Sequence, residues 1–133
     1  MIAMLQHPEQ SIIRAQLRQN EVLKSMPDAD RAELEQSLVI VDGAKSDFLL
    51  SQGVREMEQY FILDGVLKRT VSNAEGKEMI LRFAAEGDME TSYAAWRMGT
   101  PTPYSIVCVT KARVARLPLP QWVEFLDRHR ETK

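Results

Sequence analysis

The spacing of apolar residues changes period along this chain. Ile13 and Leu17 share a face with Asn20 or Glu21, flanked by Ile12, Ala15 and Gln19, which predicts a modestly amphipathic helix. Met26-Pro27-Asp28 breaks it, because Pro27 has no N–H to donate and restricts the residue before it. Asp30 then stands three residues before Glu33, the spacing of a capping box, and Ala32, Leu34 and Leu38 follow. That pattern predicts a short second helix from Asp30 to Ser37.

From Leu38 onward the pattern is that of short strands. Leu38-Val39-Ile40-Val41 is β-branched and ends at Asp42-Gly43, and Phe48-Leu49-Leu50 runs into Ser51-Gln52-Gly53. Tyr60 to Leu63 is aromatic and apolar. Asp64-Gly65 predicts a tight hairpin after it, with Val66 to Ser72 as the return strand. Asn73-Ala74-Glu75-Gly76 turns the chain into a strand from Glu78 to Phe83, which Glu86-Gly87-Asp88 closes. Thr91 to Met98 reads as a short helix stopped by Gly99, Pro101 and Pro103. Ser105 to Thr110 and Arg113 to Leu117 read as a last strand pair around Lys111-Ala112, limited by Pro118 and Pro120. A helix from Gln121 to Arg130, with Trp122, Phe125 and Leu126 on one face, closes the chain.

Turns every ~8–12 residues suggest a sandwich or barrel. With helices at both ends the chain is α+β by content, mainly β. No repeat, low-complexity tract or linker divides it. The expected organisation is one domain over residues 1–133: N-terminal helices in 1–37, strands in 38–117 and a C-terminal helix in 121–130.

Composition narrows the function classes. The 133 residues leave room for one core. A hydrophobic content of 44% and a charged content of 27% are those of an ordinary globular protein. The net charge of -2 gives no basic footprint for nucleic acid. Cys108 is the single cysteine, so no intrachain disulfide forms, and its mid-strand position reads as a core residue. Met1-Ile2-Ala3-Met4-Leu5 is too short and unflanked for a signal peptide, and no stretch approaches the ~20 apolar residues of a membrane span. The expectation is a cytoplasmic chain with no membrane anchor.

The run Gly76-Lys77-Glu78-Met79-Ile80-Leu81, followed at a short distance by Gly87-Asp88 and preceded by Tyr60-Phe61-Ile62-Leu63-Asp64-Gly65, strongly resembles the cyclic-nucleotide-binding sensor domain of the Crp/Fnr (catabolite activator) regulators. The resemblance covers about Met26 to His129. It implies an antiparallel β jelly roll (a double-stranded β-helix) with short flanking helices. Gly53, Gly65, Gly76 and Gly87 would stand at its corners, where positive φ is needed.

The chain departs from that family after Gly87-Asp88. In members that bind cyclic AMP, a Gly-Glu pair accepts the ribose hydroxyl, and an Arg-Ser/Thr-Ala run places a guanidinium on the cyclic phosphate. Carried across, the Gly-Glu pair lands on Thr91-Ser92 and the arginine on Thr102 or Pro103, none of which carries charge. Losing a charged partner in a buried site costs roughly 2–5 kcal/mol, or roughly 30- to 3000-fold in affinity. The resemblance therefore implies an effector-sensing domain with a degenerate phosphate motif that binds cyclic AMP and cyclic GMP weakly or not at all.

The candidate ligand-binding residues of the altered pocket are Glu90, Thr91, Ser92, Tyr93, Arg97, Thr102, Pro103, Tyr104 and Ser105. Arg97 either swings inward to replace the missing phosphate ligand or stays solvated at a helix end. Glu90 either accepts a ligand hydroxyl or favours a helix dipole. Tyr93, Trp96 and Tyr104 either line a pocket for another effector or fill it.

No catalytic or metal site is expected. His7 and His129 lie near the chain ends with nothing to pair with, which excludes a Ser-His-Asp constellation and the histidine sets of metal-dependent jelly rolls. The N-terminal cysteine group that holds an iron–sulfur cluster in some Crp/Fnr relatives is absent, and no haem ligand set stands out. No cofactor is expected, and no enzyme activity. The partners implied are an unknown small-molecule effector or none, and DNA only through a missing C-terminal helix-turn-helix domain. A homodimer is implied for a full-length protein. The alternative is a stand-alone interaction module that docks through Trp122 and Phe125.

Overall fold

The structure, a computed structural model, describes residues 1–129. Nine strands form two antiparallel sheets. The first sheet holds β1 (Ile2–Ala3), β2 (Val39–Gly43), β9 (Ala112–Pro118), β4 (Glu58–Asp64) and β7 (Met89–Glu90), in that spatial order. The second holds β3 (Phe48–Leu50), β8 (Ser105–Cys108), β5 (Leu67–Ser72) and β6 (Glu78–Ala84). Among the described residues five α-helices accompany them, after a 3-10 turn at Met4–Gln6: α1 (Gln10–Leu17), α2 (Glu21–Lys24), α3 (Asp28–Glu35), α4 (Tyr93–Met98) and α5 (Leu119–Arg128). The expected mainly antiparallel β-roll with short flanking helices is thus borne out.

β4 explains the layering. Its run Tyr60-Phe61-Ile62-Leu63 is apolar without interruption and buried throughout, as a strand covered on both faces must be. Alternation sends Tyr60 and Ile62 toward the second sheet, where they pack with Leu67, Ile106 and Val114. Phe61 and Leu63 point the other way, into a core closed by α1, α3 and α5. There the Phe61 and Trp122 rings meet edge to face, their centroids 5.3 Å apart. The Arg14 guanidinium grips Glu35 with two bonds of 2.7 and 2.9 Å, tying α1 to α3.

Several expectations are corrected. Asp64-Gly65 is not a hairpin: β4 pairs with β9 and β7, while β5 pairs with β8 and β6 in the other sheet. Likewise β8 and β9 are not partners. Both connections are corners that carry the chain between sheets, and the two corners rest on each other, with Val109 N–H donating to the Val66 carbonyl at 2.8 Å. A strand with two buried faces needs a neighbour on each edge, and a local hairpin partner is not required to be one of them.

The second helix begins at Asp28, with Pro27 at its N-cap and no side-chain cap, so Asp30 and Glu33 form no capping box. The turn α2 was not anticipated. Its signal is Asn20, whose Oδ1 accepts from Val22 N and Leu23 N at 3.0 and 3.1 Å. The last helix starts earlier than expected because Pro120 fits its first turn. Leu126 is 38% exposed rather than on the buried face, and Arg130 lies outside the described residues. Cys108 is buried as expected, and desolvation raises its thiol pKa. His129 does have partners, with Nδ1 3.3 Å from Asp30 and Nε2 3.1 Å from Glu33. His7 Nδ1 accepts from Glu9 N at 2.9 Å.

Gly65 shows what the corners demand. Its φ is 92°, and a Cβ there would overlap the Lys111 carbonyl and lie 2.8 Å from Ala112 Cα. Gly76, at φ 82°, has open space around it. Gly76→Ala is expected to cost about 1–2 kcal/mol, the strain of left-handed backbone alone. Gly65→Ala is expected to cost roughly 1–3 kcal/mol more through overlap with backbone that cannot yield. Urea unfolding of both variants checks the ranking.

Candidate functional site

The inner face of β7 carries a carboxylate. Met89 and Glu90 alternate, so Met89 packs on the helix-side core and Glu90 turns between the sheets. Glu90 is 2% exposed. A carboxylate that deep must be paired and hydrogen-bonded, and two arginines answer it. Arg69 of β5 bonds Glu90 Oε1, and Arg82 Nε of β6 lies 3.5 Å from Oε2. The backbone N–H of Thr91 donates to Oε1 at 3.0 Å. Arg69 and Arg82 are direct cross-strand partners in the β5–β6 register, so Glu90 also screens two like charges set opposite each other.

Tyr104 completes the group. The Arg69 guanidinium lies over its ring at 4.2 Å, and its hydroxyl donates to the Thr91 carbonyl. Ser92 and Thr102 close the segment between β7 and β8. Ser92 Oγ donates to Thr102 Oγ1 at 2.9 Å, and Thr102 Oγ1 donates to the Tyr104 carbonyl at 2.9 Å. Both residues are buried. Thr102 also exchanges backbone bonds with Gly53 and Val54, each 2.9 Å. Ser105 Oγ accepts from Gln52 N at 2.8 Å, and Thr91 Oγ1 donates to the Glu58 carbonyl at 3.0 Å.

The structure therefore brings together Glu90, Thr91, Ser92, Thr102 and Tyr104, with Ser105 beside them. It leaves three candidates outside. Tyr93 is 46% exposed on α4, Pro103 is exposed, and Arg97 is exposed in the last turn of α4 with no partner among the described residues. Of the two alternatives for Arg97, the solvated helix end is the one seen. Trp96 sits under α4 against the helix-side core, away from the sheet interior. Glu90 lies on a strand and not at a helix start, since α4 begins at Tyr93, so the helix-dipole reading is corrected. Its oxygens are taken up by arginine and backbone.

Arg69 and Arg82 were missed. The available signal was parity: Arg69 shares the inward register of Leu67, and Arg82 that of Ala84. A charged residue at an inward position needs a partner, and Glu90 is the nearest carboxylate on the facing sheet.

Tyr60 is the β4 partner of Glu90. Its hydroxyl donates to the Leu49 carbonyl at 2.8 Å, and burial pushes the phenol up to about 12. Beyond it a cleft of about 390 Å³ opens among Leu49, Val54, Glu56, Glu58 and Arg116. Desolvation raises the Glu58 carboxyl, against the lowering effect of Arg116 3.5 Å away.

Comparison with known proteins agrees with this architecture. The sequence profile of the cyclic nucleotide-binding domain matches residues 42–129, well over half of the chain, and the chain belongs to that family. No curated protein sequence matches it. Among solved structures, a candidate cyclic nucleotide binding protein from Ruegeria pomeroyi superposes with a TM-score of 0.76 at 22% identity, over 90% of this chain and 53% of that one. The sensor domain of the transcriptional regulator DNR from Pseudomonas aeruginosa gives 0.77 at 18% identity, over 89% and 79%. The catabolite activator protein of Thermus thermophilus gives 0.68 at 12% identity, over 80% and 50%. At these identities the likeness establishes a shared fold. The chain spans about half the length of the Ruegeria and Thermus proteins. The Crp/Fnr resemblance thus holds in domain family and in fold.

Glu90→Gln tests the charge group. Removing one partner of a buried pair costs about 3–5 kcal/mol. Arg69 and Arg82 keep 23% and 45% of their side-chain surface exposed, so solvent recovers part of this, and the expected loss is about 2–3 kcal/mol. A double-mutant cycle with Arg69→Gln, read by urea unfolding, is expected to show a coupling above about 1 kcal/mol.

Proposed function

We propose that this chain is the effector-sensing regulatory domain of a Crp/Fnr-type transcriptional regulator, with a phosphate motif that no longer holds a cyclic nucleotide. The observation that carries this is Thr102. With Pro103 it is one of the two positions on which the family's phosphate arginine falls, and its hydroxyl is engaged with Ser92 and the Tyr104 carbonyl. The ribose acceptor position, Ser92, is engaged in the same bond. Membership of a regulatory ligand-binding family supports a non-enzymatic role. No described helix is long and apolar enough to cross a membrane, which is compatible with a cytoplasmic regulator. In this reading residues 1–133 act as one sensor unit, DNA is bound only through a further helix-turn-helix domain, and the full-length protein is a homodimer. The ligand-binding positions are those gathered around Glu90, Thr91, Ser92, Thr102, Tyr104 and Ser105.

The alternative of a stand-alone interaction module loses its first basis, since Trp122 and Phe125 are buried in the core. It keeps a different one: Met79, Ile80, Leu81 and Phe83 of the edge strand β6 are exposed.

Calorimetric titration of the chain with cyclic AMP and with cyclic GMP is expected to show no saturable binding in the micromolar range. A micromolar Kd for either nucleotide would falsify the reading of the motif.

A further inference from the structure

The charges around Glu90 do not balance. Two guanidiniums face one carboxylate, leaving one positive charge over. Arg69 Nε is buried and finds no acceptor among the described residues. A buried charged donor left unbonded is costly, and in native proteins such a group calls for an explanation, an ion among them. Arg82 holds Glu90 only at 3.5 Å and is half-exposed on the edge strand β6, so its remaining donors are open to solvent. Arg69 and Arg82 sit opposite each other in register, which a second negative charge would relieve. The Tyr104 ring lies against Arg69 and fixes the plane of its guanidinium.

We infer that Arg69 and Arg82, with Glu90 as a built-in counter-charge, form a receptor for a small organic anion entering past the edge of β6, with a carboxylate or phosphate group as the recognised part. This rests on the reading of the chain as an effector-sensing domain and names the chemical class of its effector. The anion would take the free Arg69 Nε–H and the outward donors of Arg82, and a monoanion brings the group to neutrality. A cyclic nucleotide also carries a phosphate monoanion, but the positions where the family would fix its ribose and phosphate, Ser92 and Thr102 or Pro103, offer it no charge.

The test is titration of the full chain with sodium acetate and, separately, with inorganic phosphate, against sodium chloride at matched ionic strength. Heats are read by calorimetry, and the Arg69 Nε–Hε resonance by NMR. At least one of the two anions is expected to saturate and to move that resonance. Acetate alone identifies a carboxylate receptor, phosphate alone a phosphate receptor, and either supports the inference. Arg82→Gln is expected to weaken binding roughly 10- to 100-fold, as loss of charge-assisted bonds does. Lys24→Gln, which removes one positive charge at a distance from the site, is expected to leave it unchanged. The inference is overturned if neither anion saturates beyond chloride, if the Arg69 resonance stays fixed in the parent chain, or if Arg82→Gln binds as the parent does. Should Arg82→Gln not fold, the Arg69 resonance of the parent decides. Cyclic AMP in the same series separates the two failures. Micromolar binding of cyclic AMP sinks the reading of the degenerate motif, whereas silence from every anion and from cyclic AMP sinks only this inference.

Discussion

Glu90 sits between two sheets with almost no access to water, and the surrounding side chains are arranged around that fact. An isolated carboxylate there would be too costly to ionise. Arg69 and Arg82 make it tolerable, and it makes them tolerable in turn, because they face each other across β5 and β6. Such groups contribute little net stability compared with apolar packing. Their effect is positional. One carboxylate fixes three strands relative to one another, and Arg69 passes the constraint to the Tyr104 ring and so to the start of β8. The segment between β7 and β8 is held at both ends by these contacts and across its middle by Ser92 and Thr102.

The same site depends on β4 being a shared wall. With Tyr60 and Ile62 facing one core and Phe61 and Leu63 facing another, the first sheet has no solvated face near the site. Water cannot reach Glu90 from the helix side. On the β6 side the site meets solvent at Arg82, which is half-exposed. The inter-sheet corners protect this arrangement: Gly65 lets the Asp64–Val66 turn lie directly on Lys111-Ala112, so the two sheets stay in register at the end away from the rim.

Local features of this fold were legible in the sequence, and non-local ones were not. Phe48–Leu50 and the block from Glu78 to Phe83 could be read because turn residues and apolar runs mark them. The glycine corners could be read as well, since Gly53, Gly65, Gly76 and Gly87 all take positive φ. The pairing of β4 with β9 was not legible, because register between distant strands is set by shared burial rather than by the turn that follows. α2 escaped because four residues are too few to show a period, although Asn20 marked its start. In the site, Thr91, Ser92 and Thr102 were identified through the family motif. Arg69 and Arg82 were not, because they lie outside the family motif, on strands where only the parity of Leu67 and Ala84 marks them as inward.

The short strand β7 bears on how such a site could report its state. Glu90 and Met89 are adjacent residues on opposite faces of one strand, paired with Tyr60 and Phe61 respectively. Any ligand that draws Arg69 and Arg82 off Glu90 changes the load on β7, and β7 cannot shift without moving Met89 within the helix-side core. That core is close-packed, so displacement is passed on rather than absorbed. Phe61 pairs with Met89 in the sheet and meets Trp122 of α5 at 5.3 Å, so α5 is one of the elements in contact with this path. The extent of the response is bounded by the difference in the ligand's affinity for the two arrangements.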